Sequence, residues 1–189
     1  MVVLKSGRLT YRVATLADLG TLVRHRHAMW SAIGHRTEEE IAEHDRRYRR
    51  WMRGRLHSRE VVGVIAESSS GEPVGSGVVW FRSDQPRPKI PFLTLPYILS
   101  MYTESEWRGH GIASRIVDRL VRECRRRGYP SVVLHASEQG RSVYSRLGFE
   151  RTWEMRYWID PALRRRRKAI AELEQRQKRK GKKRLDRES

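Results

Sequence analysis

TESEWRGHGIASRIVDRL, residues 103–120, joins a strand-like apolar run to an amphipathic helix through a turn with two glycines. In the helix, Ile112, Ile116, Leu120, Val121 and Cys124 fall on one face at helical spacing. Arg115, Asp118, Arg119, Arg122 and Arg126 lie largely outside that face. Up to four backbone N–H groups at such a helix start have no intrahelical acceptor. Glycine has no Cβ, so a ligand can approach the backbone closely. The helix dipole adds partial positive charge. Gly109 and Gly111 therefore read as a phosphate cradle at the mouth of a helix. The competing reading is a plain tight turn.

Two other phosphate loops do not fit. A Walker A loop ends in Gly-Lys-Ser/Thr, which is absent here. A dinucleotide fingerprint needs a third glycine or alanine where Ser114 stands, and an acid near where Arg126, Arg127 and Gly128 come.

Leu9–Val13 alternates as a strand. Thr15 caps a helix striped by Leu16, Leu19, Leu22 and Val23, running to about Trp30 and ended by Gly34. Thr37 and Glu40 make a capping box for a second helix reaching about Leu56. Val61–Glu67 and Pro73–Phe81 are strands joined by a turn at Ser68-Ser69-Ser70-Gly71. Gly75 and Gly77 predict a bulge or a close approach by another backbone. Arg82–Pro96, with four prolines, reads as a loop, and Tyr97–Thr103 as a strand. After the helix, Ser131–His135 reads as a buried strand, Arg141–Leu147 as a short helix stopped by Gly148, and Phe149–Ile159 as a last extended stretch. A hairpin half followed by a strand-helix-strand unit predicts a mixed sheet with helices on both faces.

The formal charge is +18, which favours polyanionic partners. Residues 161–189 hold thirteen Lys or Arg against four Asp or Glu, a balance of +9 and half of that total. Residues 1–160 read as one domain and 161–189 as a basic helix and disordered tail, a candidate contact for a polyanion such as RNA. No apolar run is long enough to span a membrane. Cys124 is the single cysteine, which excludes an internal disulfide and suits a reducing cytoplasm. His25 and His27 are two apart and point to different helix faces, and no paired-cysteine or His-Glu-x-x-His pattern is present, so no metal is expected.

Arg108, Gly111 and Ala113 occupy the defined positions of Arg/Gln-x-x-Gly-x-Gly/Ala. On these residues the segment resembles motif A of the GCN5-related N-acetyltransferase (GNAT) superfamily. TLADL at Thr15–Leu19, HAMWSAIG at His27–Gly34, LHASEQGRSVYSRLGF at Leu134–Phe149 and the pair Glu154-Met155 extend the resemblance over roughly Leu9–Asp160.

The resemblance implies an α+β fold whose mixed, mostly antiparallel sheet splays between its fourth and fifth strands. It implies acetyl-CoA as donor and a primary amine, on a small molecule or a protein, as acceptor. The backbone of Met101, Tyr102 and Thr103 would pair with the pantetheine arm. The amides of Gly109, His110, Gly111, Ile112, Ala113 and Ser114 would hold the diphosphate. Arg108, Arg115 and Arg141 would help electrostatically. Ser137 stands where the family commonly has an asparagine for the pantetheine arm. Tyr144 matches the tyrosine that protonates the departing thiolate.

An alkyl ammonium loses its proton only at a cost of about 4–5 kcal/mol at neutral pH, so a positioned base is needed. Glu104 is the first candidate, with Glu106 and His135 behind it. Met29, Trp30, Trp51 and Trp80 line either the acceptor end or the core. Monomer and homodimer both fit the sequence. Two other function classes remain: an acyl-CoA sensor without turnover on the same fold, and a nucleic-acid- or ribosome-associated protein held by its tail.

Overall fold

The capping box at Thr37 forms. Its hydroxyl accepts from the Glu40 amide at 3.2 Å, and the Glu40 carboxylate accepts from the Thr37 amide at 3.0 Å. Two orphan donors are thereby satisfied, and three acids face the positive helix end. The computed structural model describes residues 8–34, 36–138, 140–155, 159–162, 165 and 169–172. Contacts divide the chain into two compact units, Met1–Phe149 and Glu150–Ser189.

The elements of the first unit are β1 (Thr10–Val13), α1 (Leu19–Ile33, entered through a 3-10 turn), α2 (Glu38–His57), β2 (Val61–Glu67), β3 (Pro73–Ser83), β4 (Thr94–Thr103), α3 (Ile112–Arg126), β5 (Val133–Leu134) and α4 (Arg141–Arg146). The sheet runs β1-β2-β3-β4-β5 in space. The first three pairings are antiparallel and β4 with β5 is parallel. The expected mixed sheet with helices on both faces is present. Val78 packs with α1 and α2, while Val79 packs with α3, as strand alternation requires. Among the described residues no helix is long and apolar enough to cross a membrane.

Three elements differ from the sequence reading. β4 starts at Thr94 and takes in Pro96. Phe81, opposite Pro96, gives its amide to Glu60 on the β2 side. The missing N–H of Pro96 therefore faces away from β3, and β5 pairs only from Tyr97 onward, so no ladder bond is lost. β5 is two half-buried residues rather than a buried strand over Ser131–His135, and His135 is exposed. Residues 150–155 form neither helix nor strand. Trp153 and Met155 are 95% and 94% exposed, so no apolar burial holds that stretch in extended form. In the second unit residues 161–162, 165 and 169–172 are helical, and the Ala162 amide donates to Asp160 at 2.8 Å. Most of the basic segment lies outside the described residues.

Two ionic ties fix the N-terminal part. Arg12 donates to both oxygens of Asp18 at 2.7 Å and to Glu67 at 2.9 Å, holding the carboxyl of Asp18 down at about 2. His27 joins α1 to α2, with Nε2 2.6 Å from Glu38 and Nδ1 2.6 Å from Asp45. Both nitrogens face carboxylates, so the imidazolium is the form that satisfies them. The hydrogen bonds to Glu38 and then Asp45 raise the His27 pKa above 6.5.

A raised folded-state pKa adds stability that is complete below the unfolded value and is lost as pH rises through the folded one. The melting-temperature gap between the parent and His27→Ala is therefore wider at about pH 6 than at about pH 9. A gap independent of pH contradicts the tie.

Candidate functional site

The site begins where β4 outruns its partner. β5 pairs only with Tyr97 and Ile98, so among the described residues nothing pairs with that edge of β4 from Leu99 to Thr103. On the other edge Ser76 faces Tyr102 and Val78 faces Leu99. One step of two residues on β3 thus matches three on β4, which is a bulge in β4. Ser100 takes the strain with φ of +53°, and its hydroxyl accepts from Tyr48 of α2 at 3.3 Å.

The sequence reading attached this irregularity to Gly75 and Gly77, whose role is to make room. A Cβ on Gly75 would lie 3.0 Å from Ile112 Cγ2 and 3.1 Å from the Tyr102 carbonyl oxygen. One on Gly77 would lie 2.2 Å from Met101 Sδ. Ile112 and Ile116 of α3 settle on these bare positions, which brings the helix start against β3 and beside the end of β4.

After Thr103 the chain takes one more sheet bond, from the Glu104 amide to the Val74 carbonyl, then a 3-10 turn anchored by buried Trp107. Arg108 Nε donates to the Thr103 carbonyl at 3.1 Å and ties the turn back to the strand. Gly111 caps α3 with φ of +73°, and the first helical bond runs from the Arg115 amide to the Gly111 carbonyl. None of the amides of Gly109, His110, Gly111, Ile112, Ala113 and Ser114 donates to an acceptor among the described residues. The space around Gly109 and Gly111 is open, with nothing within 4 Å of a built Cβ.

Glu104 stands at the centre of a polar cluster. Arg24 Nη1 donates to its Oε1 at 2.7 Å and the Tyr102 hydroxyl to its Oε2 at 3.0 Å. His25, fully buried, lies 3.5 Å from the same Oε1 and 2.9 Å from Ser76 Oγ. Burial, with the nearby Arg24 charge second, pushes its pKa down to about 4. Arg24, His25 and Ser76 were not singled out for this cluster by sequence reasoning. The one signal available was the placement of His25 on the inner face of α1, opposite His27.

α4 carries the remaining residues. Tyr144 is half-buried, packs edge-on to Phe149 and against the α3 core, and burial raises its phenol above the ordinary value. Gly140 leaves room for its ring: a Cβ there would be 2.9 Å from Tyr144 Cε2. Ser137 Oγ accepts from the Gly140 amide at 3.2 Å, so it shapes the turn into α4. Arg141 is exposed at the helix start, Glu106 is exposed on the 3-10 turn, and the Arg115 guanidinium lies 5.9 Å over Tyr11 of β1. Trp51 and Trp80 stack edge-on against the α1/α2 core with Arg55 over both rings, while Trp30 sits between Arg26 and Arg36.

Residues 25–149 match the family model "Acetyltransferase (GNAT) family". A GCN5-related N-acetyltransferase from Ralstonia eutropha JMP134 superposes with a TM-score of 0.74 at 30% identity, covering 80% of this chain and 99% of that one. A predicted acetyltransferase from Clostridium acetobutylicum, solved with acetyl-CoA, gives 0.73 at 30% identity over 80% and 96%. A ribosomal-protein-alanine N-acetyltransferase from Brucella melitensis biovar Abortus 2308 shares the fold, with a TM-score of 0.60 at 19% identity over 81% and 99%. No curated protein matches the chain.

Gly75→Val tests the seat of the glycine turn. Overfilling the contact with Ile112 and the Tyr102 carbonyl is expected to destabilise the fold by about 1–3 kcal/mol in denaturant unfolding. A change within about 0.5 kcal/mol, the range of an ordinary surface substitution, contradicts the close approach.

Proposed function

The chain belongs to the GNAT acetyltransferase family, and we propose that it moves the acetyl group of acetyl-CoA to a primary amine by direct attack within a ternary complex. The observation that carries this reading is the open β4 edge running straight into a turn of unpartnered amides. An extended amide-containing arm can pair with Met101, Tyr102 and Thr103 as a strand would. A diphosphate at its end then meets the amides of Gly109–Ser114 and the positive end of α3. Arg108 acts chiefly by holding that turn against Thr103, since its Nε is already engaged. Arg141 adds positive charge from α4. Ser137, already accepting one bond from Gly140, keeps its hydroxyl hydrogen for the arm.

The amine nitrogen attacks the thioester carbon, the C–S bond breaks and the sulfur leaves as thiolate. Tyr144, kept protonated by burial, supplies the proton to that sulfur, and the second proton that the nitrogen sheds as it becomes an amide restores the phenol through solvent. Glu104 takes the proton shed by the ammonium, directly or through one water. Its two oxygens are held in place by Arg24 and Tyr102, which fixes the carboxylate where β4 ends.

An amine library screened with acetyl-CoA, read by thiol release, tests the reaction; no turnover of any amine contradicts it. Tyr144→Phe is expected to lower kcat by about 10²-fold while the calorimetric affinity for acetyl-CoA holds. Equal rates across pH 6–9 remove Tyr144 from proton transfer. Gly111→Glu sets negative charge and bulk at the phosphate cradle, in a backbone conformation that disfavours side chains. It is expected to abolish acetyl-CoA binding, and unchanged affinity rules out the cradle.

A further inference from the structure

The ion pair between Arg24 and Glu104 is locked from behind. Arg24 has only donors, so its Nη2, 3.2 Å from His25 Nε2, must meet a nitrogen carrying a lone pair. The imidazole hydrogen is then on Nδ1, which donates to Ser76 Oγ at 2.9 Å. His25 is 0% and Ser76 1% exposed, so neither has water as an alternative partner. Burial also keeps the imidazole neutral, which preserves the Nε2 lone pair. Arg24 is thus gripped at two points, by Glu104 Oε1 and by His25. Swinging it outward would take that donor from Nε2 and force the imidazole hydrogen across to it, where the nearest acceptor, Glu104 Oε1, is 3.5 Å away. Its side chain is still 54% exposed and reachable from outside, and that of Glu104 is 25% exposed.

We infer that this locked pair recognises the acceptor, and that it selects an amine with a carboxylate close to it, as in a free amino acid. The inference rests on the acetyl-transfer reading and names the substrate class for that site. A lone ammonium reaching Glu104 would meet the fixed positive charge of Arg24 on the same carboxylate oxygen. It would gain little from a pair that is already neutral. A zwitterion meets both charges at once: its ammonium lies against Glu104 and its carboxylate against the exposed side of Arg24, so every charge has an opposite neighbour as water leaves while the pair stays in place. The planar guanidinium suits a carboxylate in particular, because its parallel N–H groups match the two oxygens. His25 acts through Arg24 and is a positioning residue.

The test uses the full chain with acetyl-CoA and matched acceptors: amino acids, the corresponding amino acid amides, and amines lacking the carboxyl group. The readout is the acid-to-amide ratio of kcat/KM in the parent divided by that ratio in Arg24→Gln, so intrinsic differences in amine reactivity cancel. A charge-assisted contact predicts that this quotient is about tenfold or more, carried by KM, and that Arg24→Lys recovers part of it. His25→Phe, which keeps bulk but removes the acceptor nitrogen, moves the ratio in the same direction. Turnover with an unchanged ratio in Arg24→Gln overturns the inference and leaves acetyl transfer standing. So does acetylation of simple amines by a parent that ignores amino acids. Absence of turnover with every amine overturns acetyl transfer itself, and this inference with it.

Discussion

A backbone amide that has left water needs an acceptor, and a fold can meet that need with its own chain or reserve the amide for a ligand. Here the chain withholds its own acceptors at one place. From Gly109 to Ser114 no amide donates to an acceptor among the described residues, the space at Gly109 and Gly111 is open, and just upstream no described strand pairs with the Leu99–Thr103 edge of β4. Two sets of unpaired backbone groups lie end to end along one stretch of chain. That continuity lets a single ligand, extended at one end and anionic at the other, satisfy both.

Much of the surrounding structure keeps this edge open and the helix start near it. β5 stops after two residues, so β4 is not zipped along its length. The bulge at Ser100 lets β4 change direction, and Tyr48 reaches across from α2 to brace it. Bare positions at Gly75 and Gly77 admit Ile112, Ile116 and Met101, which brings α3 down onto β3. Trp107, buried between strand and helix, anchors the turn that joins them. Binding geometry is therefore a product of packing rather than of any single reactive side chain.

The sequence made the frame readable because the signals were local. A capping box, a three-serine turn, glycines after α1 and α4 and a helical stripe at Ile112, Ile116 and Leu120 each act within a few residues. What it hid depends on partners far along the chain. The bulge belongs to β4, yet its visible trace was a pair of glycines on β3 that make space for it. Pro96 signalled a loop, although its imide nitrogen turns away from β3 and a strand accepts it. The Glu104 cluster draws Arg24, His25 and Ser76 from distant segments, and no spacing rule connects residues 24, 76 and 104. Ser131–His135 read as buried from its composition, but only Val133 and Leu134 pair with β4, and Ser131 and His135 stay exposed.

Amide proton and nitrogen shifts of the isotopically labelled protein, recorded while acetyl-CoA is added, report directly on the claim that unpartnered backbone groups form the binding surface. The account predicts that the largest saturable changes fall on Gly109 to Ser114 and on Met101 to Thr103, with the turn amides moving as a hydrogen bond to phosphate forms. Saturable binding whose shifts lie elsewhere, with both of those segments unmoved, contradicts it.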